Sequence, residues 1–216
     1  MKTLFFLFIA IFFATPIYAS DLPLSGKTIL IDAGHGEFDP GKVGSRNTLE
    51  KDINLQISLK LQALLESSDA YTIMTRAEDK ALGSTKNADM QGRRHIANTG
   101  DADILISIHQ NSYSSGGPKG PMVFHYSDEG LFLATSIQNR MNDALERSSG
   151  RKPKKNKNYF ILRATTIPAV IVECGFLTNS WDLDCLRQEG YQDKVAWAIY
   201  SGIVDYFYNA PVEQDI

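Results

Sequence analysis

Six short apolar runs rich in β-branched residues constrain this chain more than any other feature. They lie at 28–32, 71–75, 104–109, 122–126, 159–162 and 169–173, and their length and composition read as buried strands. Helical patterns fill the gaps. Ile53, Ile57, Leu61, Leu64 and Leu65 recur at the spacing that gathers them on one helix face. Further helices are expected at 89–97, 131–146 and 193–208. Strands alternating with amphipathic helices predict an α/β domain: a twisted, mostly parallel sheet of about six strands flanked by helices on both faces. The 216 residues show no internal repeat and only short breaks at 39–41, 114–120 and 150–157, so one domain accounts for the chain. With 43% hydrophobic and 22% charged residues, disorder, collagen and a disulfide scaffold are excluded. A net charge of -3 gives no general attraction to nucleic acid or anionic lipid. A partner must be recognised by a local site.

The amino terminus stands apart. An unbroken apolar run at 4–14 follows a single basic residue, Lys2; it is too short to span a bilayer, which takes about 20 residues. With the segment Thr15-Pro16-Ile17-Tyr18-Ala19-Ser20 behind it, the pattern fits a signal peptide at 1–19 and a mature domain at 20–216. Ile17 is large for its place before the cut, which keeps an uncleaved anchor as the alternative. Both readings export the domain. Export permits a disulfide between Cys174 and Cys185, but two thiols without Cys-x-x-Cys spacing decide neither for nor against it, and they make no zinc knuckle.

In open α/β sheets ligands bind beyond the carboxyl ends of the strands, and there this chain places polar groups. The first run leads into Ala33-Gly34-His35-Gly36, the third ends in His109 and the last in Glu173. Glu50 opens the first helix. Each has a plain structural alternative. Asn47-x-x-Glu50 matches a capping box, and a histidine at a strand end is often only hydrogen-bonded. Glu173, behind four apolar residues, is costly to bury without a partner. Taken together, two imidazoles and one carboxylate form the set that holds catalytic zinc with a position left for water. A second carboxylate, Glu173, is then the candidate to move protons, taking one from water and giving it to a leaving amine. That is amide hydrolysis.

These residues resemble those of the zinc-dependent N-acetylmuramoyl-L-alanine amidases of the bacterial cell wall, in their amidase-3 branch. The resemblance runs through Ile31-Asp32-Ala33-Gly34-His35-Gly36, Leu49-Glu50-Lys51-Asp52, then Arg93 with Ile96-Ala97-Asn98 and Ala102-Asp103. It continues in Ser107-Ile108-His109-Gln110-Asn111, Leu162-Arg163, Ile167-Pro168-Ala169 and Val172-Glu173-Cys174-Gly175-Phe176-Leu177-Thr178-Asn179. It implies one zinc held by His35, Glu50 and His109, with Glu173 catalytic. The implied substrate is peptidoglycan or a muropeptide, cut between the lactyl group of N-acetylmuramic acid and L-alanine, in the periplasm or outside the cell. Some relatives carry a long helical insertion that blocks the zinc until an activator arrives. Only 61 residues separate Asn111 from Glu173 here, which leaves little room for such a plug and predicts an open site. The compact form looks most like stand-alone members, the spore-cortex amidases among them. Cys174 replaces an aliphatic residue of many relatives.

Weaker signals remain. Asn111, Arg163 and Asn179 are candidates to orient a muramyl or peptide group, with packing roles as the alternative. The basic run 151–157 either draws an anionic wall polymer toward the site or is a solvated loop. His95 and His125 are expected to have no metal role, and Trp181 and Trp197 read as packing or surface aromatics. Two rival functions are a glycosidase using Glu37, Asp39, Glu50 and Glu173, which leaves both histidines unexplained, and a wall-binding module without turnover, which leaves Glu173 unexplained.

Overall fold

The computed structural model describes residues 22–145 and 150–209. The leader assigned to 1–19, and Glu146 at the end of one expected helix, lie outside them. In chain order the elements are β1 (Thr28–Ala33), α1 (Glu50–Glu66), β2 (Tyr71–Met74), α2 (Lys86–Thr99), β3 (Ile104–Asn111) and β4 (Met122–His125). There follow α3 (Asp128–Ala144), β5 (Lys154–Lys155), α4 (Phe160–Ala164), β6 (Ala169–Phe176), α5 (Ser180–Leu186) and α6 (Glu189–Asn209). The six strands form one sheet in the order β2-β1-β3-β6-β4-β5. Neighbours are parallel except at the β4–β6 pair, which is antiparallel. Among the described residues no helix is long and apolar enough to cross a membrane.

Alternation along the strands builds two cores. Ile29, Ile31, Ile104, Ile106, Ile108, Val170, Val172 and Val123 point to one face, under α1, α3 and α6. Leu30, Leu105, Phe124, Ala169 and Ile171 point to the other, with Ala97 of α2 and Ile161 and Leu162 of α4. Strands covered on both faces read as continuous apolar runs, which is why five of them stand out in the sequence.

The sixth does not. The run 159–162, expected as a strand, belongs to α4, and the edge strand is the two-residue β5 inside the basic run. A four-residue apolar stretch does not by itself distinguish strand from buried helix. Here the side-chain oxygen of Asn156 accepts the backbone N–H groups of Asn158 (2.8 Å) and Tyr159 (3.3 Å), turning the chain into a helix just before the apolar residues. A second helix, α5, carries no long apolar stripe. It is started by Asn179, whose Oδ1 accepts from the backbone of Trp181 and Asp182. The capping-box reading of Asn47 also falls: Leu49 occupies the N-cap of α1 and no side chain caps it. Asn47 sits in a short 3₁₀ turn with φ of 54°, and the Glu50 carboxylate is left for other partners. Among the described residues no disulfide joins Cys174 and Cys185.

Candidate metal centre

Strand register assembles the site. On the α2/α4 face, the strands turn from apolar to polar toward their carboxyl ends: Leu30 gives way to Asp32, Leu105 to Ser107 and His109, Ile171 to Glu173. Asp32 pairs with Ser107 across β1 and β3, and His109 with Glu173 across β3 and β6. Asp32 is the buried foundation. Its carboxylate accepts from Arg93 Nη1 (2.5 Å), Thr75 Oγ1 (2.8 Å) and Ser107 Oγ (2.6 Å). Burial opposes its charge, but the Arg93 guanidinium and these hydroxyls hold its pKa at about 2.

Two arginines then fix the loop that carries His35. Arg93 donates to the backbone oxygens of Ala33 (2.9 Å) and His35 (2.7 Å). Arg76 donates to those of Ala33 (2.8 Å), Gly34 (3.1 Å) and Lys51 (2.8 Å). Three consecutive carbonyls are thereby anchored, which compensates for the left-handed backbone of His35 at φ 63°. Gly34 is required for a different reason: a Cβ there would stand 2.3 Å from Cε1 and Nε2 of His109. The loop closes against an imidazole that no larger residue would admit.

The result is a convergence of His35, Glu50 and His109, whose potential ligand atoms all lie within 4.8 Å of one another. Glu50 Oε1 is 3.2 Å from His35 Nε2 and 2.9 Å from His109 Nδ1, and the two rings meet edge to face at 4.9 Å. Outer contacts orient His35 and Glu50. His35 Nδ1 lies 2.8 Å from Asp39 Oδ2, and Asp39 Oδ1 accepts from Lys86 Nζ at 2.9 Å. Glu50 accepts the backbone N–H of Lys42 (2.7 Å) and of Gln110 (3.1 Å). Asn54, one turn along α1, donates to Gly34 O and accepts from Gln110 Nε2. Burial raises the Glu50 pKa, yet hydrogen bonds from both imidazoles prevail and hold its carboxyl far below the usual range. Burial disfavours charge on His109, but the bond to Glu50 raises its pKa overall. Two imidazole nitrogens facing an ionised carboxylate, with His35 backed by Asp39 and Glu50 by two backbone N–H groups, are a donor set and partial outer shell that suit zinc.

Glu173 faces the same space. It lines, with His35, His109, Tyr159, Phe160 and Met90, a cavity of about 310 Å³. Its side chain is buried, and Oε2 has no hydrogen-bond partner among the described residues; Oε1 lies 3.5 Å from the Tyr159 hydroxyl. Burial lifts its pKa to about 7, the range in which a carboxyl both takes and gives a proton at neutral pH.

Three further candidate residues, Asn111, Arg163 and Asn179, sit outside the cavity lining. Asn179 uses its Oδ1 to cap α5 and its Nδ2 to hold Gly116 O at 2.9 Å. Gly116, with Lys42, Thr178 and Ser180, borders a second groove of about 470 Å³; Lys42 is the residue whose N–H binds Glu50. Glu37 turns toward the backbone of Ala81 and is absent from the cavity lining, so the four carboxylates of the glycosidase reading do not converge. His125 sits on the α1/α3/α6 face, bonded to Ser127 O.

Sequence reasoning missed Arg76, Asn54, Gln110 and Tyr159 and weighed Asp39 only as a glycosidase carboxylate. Asn54 follows Glu50 by four residues, a helical spacing that was legible; nothing marks Arg76 locally.

Known proteins resemble the chain in sequence and fold. The family model described as N-acetylmuramoyl-L-alanine amidase, amidase-3, matches residues 29–205. The chain is 36% identical over 196 residues to the germination-specific N-acetylmuramoyl-L-alanine amidase of Bacillus subtilis (strain 168), across 86% of this chain and 82% of that protein. The CwlD amidase from Clostridioides difficile, solved in complex with the GerS lipoprotein, superposes with a TM-score of 0.81 at 36% identity, across 84% of this chain and 98% of that one. AmiC2 of Nostoc punctiforme gives 0.78 at 32% identity, across 86% and 99%. The chain belongs to the amidase-3 family of N-acetylmuramoyl-L-alanine amidases.

Proposed function

We propose that this protein hydrolyses the amide between N-acetylmuramic acid and L-alanine in peptidoglycan with one zinc held by His35, Glu50 and His109, and that Glu173 handles the proton. The observation that carries this reading is the convergence of the ligand atoms of His35, Glu50 and His109, with both histidines lining the same cavity as Glu173, whose buried Oε2 has no hydrogen-bond partner among the described residues. When bound, zinc supplies Lewis-acid polarisation of a carbonyl and lowers the pKa of water. The chain's own groups do the rest. Asp39 holds a proton on His35 Nδ1, leaving Nε2 for the metal. Glu173 takes a proton as the water oxygen attacks the lactyl carbonyl carbon, then delivers it to the alanine nitrogen as the C–N bond breaks. Met90 and Phe160 supply an apolar wall that limits competing water. The chain is exported by the leader at 1–19 and acts in the cell envelope. This fits its wall-acting relatives, and N-terminal sequencing of the secreted protein should find Ser20 first.

Mass analysis of digested, purified peptidoglycan tests the activity. Intact stem peptides beginning with alanine are expected. New reducing sugar ends would indicate a glycosidase instead, and no release would indicate a binding module.

A further inference from the structure

We propose that Lys152, Lys154 and Lys157 form a docking surface for the carboxylate-bearing meshwork of insoluble peptidoglycan, an inference that rests on the wall-hydrolase reading. Five of the chain's 22 Lys and Arg residues fall within 151–157, with no acid among them, although the chain as a whole is negative. The structure separates their roles. Arg151 points inward: Nη1 donates to the backbone oxygens of Lys119 (2.5 Å) and Gly120 (3.1 Å), and its guanidinium lies 5.5 Å from the Phe176 ring centre. At the other end Asn156 N–H donates to His125 O at 2.8 Å. The run is thus fastened at both ends to the fold. Lys155, between these ties, has Asp128 at 3.6 Å, whereas Lys152 and Lys154 between them, and Lys157 just beyond, are exposed and form no ion pair among the described residues, although Lys157 borders a groove with Asp128 and Glu129.

Their position relates them to catalysis. Lys154 is in register with Phe124, and Met122, two residues earlier on that strand, is in register with Glu173. Lys154 therefore shares the face of the sheet that carries Glu173. Two strand spacings across and two residues along place the two backbones about 12 Å apart. The same run leads directly into Tyr159 and Phe160, which wall the cavity. Protection of a sheet edge does not account for so many cations, because a two-residue strand is already too short to template pairing. Single exposed lysines bind a carboxylate weakly in water. Stem peptides repeated along a mesh present many carboxylates at once, so that weak contacts add through effective concentration and steer the wall to the site.

Co-sedimentation of the zinc-loaded protein with peptidoglycan chemically stripped of phosphodiester polymers tests this. Retention should fall about tenfold as salt rises from about 0.05 to 0.5 M. The triple variant Lys152→Gln/Lys154→Gln/Lys157→Gln should lose a similar factor at low salt, with kcat/KM on a soluble muramoyl-peptide unchanged. Salt-insensitive binding by the wild type, wild-type retention of the triple variant, or an equal loss on the soluble substrate would each overturn the proposal. Binding seen only before stripping would overturn it in favour of a phosphodiester polymer. Salt-sensitive sedimentation without release of stem peptides would uphold the docking surface and refute the amidase reading, so the two failures are distinguishable.

Discussion

Glu173 is placed under two opposing demands. The strand that carries it is buried throughout, which disfavours its charge, while the proposed reaction asks it to accept a proton. Its raised pKa, about 7, reconciles them. The consequence for stability has a definite sign. The folded protein binds the Glu173 proton more tightly than the unfolded chain, so this group's contribution is full below about pH 4.5 and is lost as pH rises through about 7. In the metal-free protein, Glu173→Gln should therefore gain in Tm relative to wild type across that window. Parallel curves would show that the carboxyl is not held protonated. The same variant, loaded with zinc, should lose turnover by about 10²- to 10⁴-fold; unchanged kcat would remove Glu173 from the mechanism. The positions of His35, Glu50, His109 and Glu173 were legible in the sequence because two belong to apolar strand runs, one follows a strand in a glycine-flanked loop and one opens a helix. Arg76 and Asp39 were not, because their partners, the carbonyls of residues 33–34 and the Nδ1 of His35, are chosen only when the loop has folded.

At the scale of elements, the helices with full apolar stripes and the buried strands were readable, whereas short pieces were not. Residues 159–162 have strand-like composition, but α4 begins at Phe160, preceded by a turn that the Asn156 side chain bridges. The Asn47–Glu50 spacing matches a cap that the structure does not use, since the Glu50 carboxylate is taken by two imidazoles and two backbone N–H groups. Packing between elements leaves equally local marks. Where α3 crosses α6, a Cβ at Gly202 would lie 2.5 Å from the Ile137 Cα, so the backbones touch. Gly202→Ala gains intrinsic helix propensity but must push the helices apart, and should cost about 1–3 kcal/mol in urea unfolding. A stabilised variant would mean that the helices cross with room to spare.

For the whole molecule, alternation was enough to predict a mostly parallel α/β sheet flanked by helices and five of its six strands. The reversal of β4 was not legible, because a parallel and an antiparallel strand carry the same apolar run when both faces are covered; β5, two exposed lysines, carries no apolar run. The short segment between Asn111 and Glu173 has its consequence at this scale. It contributes α4 to the cavity wall, and the side chains of His35 and His109 remain 23% and 22% exposed. The purified zinc-loaded domain should accordingly hydrolyse wall without an added activator; activity appearing only after a second protein is supplied would contradict an open site.

The most direct test of this account is metal content, measured on the wild type and on the Glu173→Ala, His35→Ala, Glu50→Ala and His109→Ala variants after equilibration with zinc. One zinc per chain is predicted for the wild type and Glu173→Ala, with little or none for the other three. A full complement in either histidine variant would contradict it.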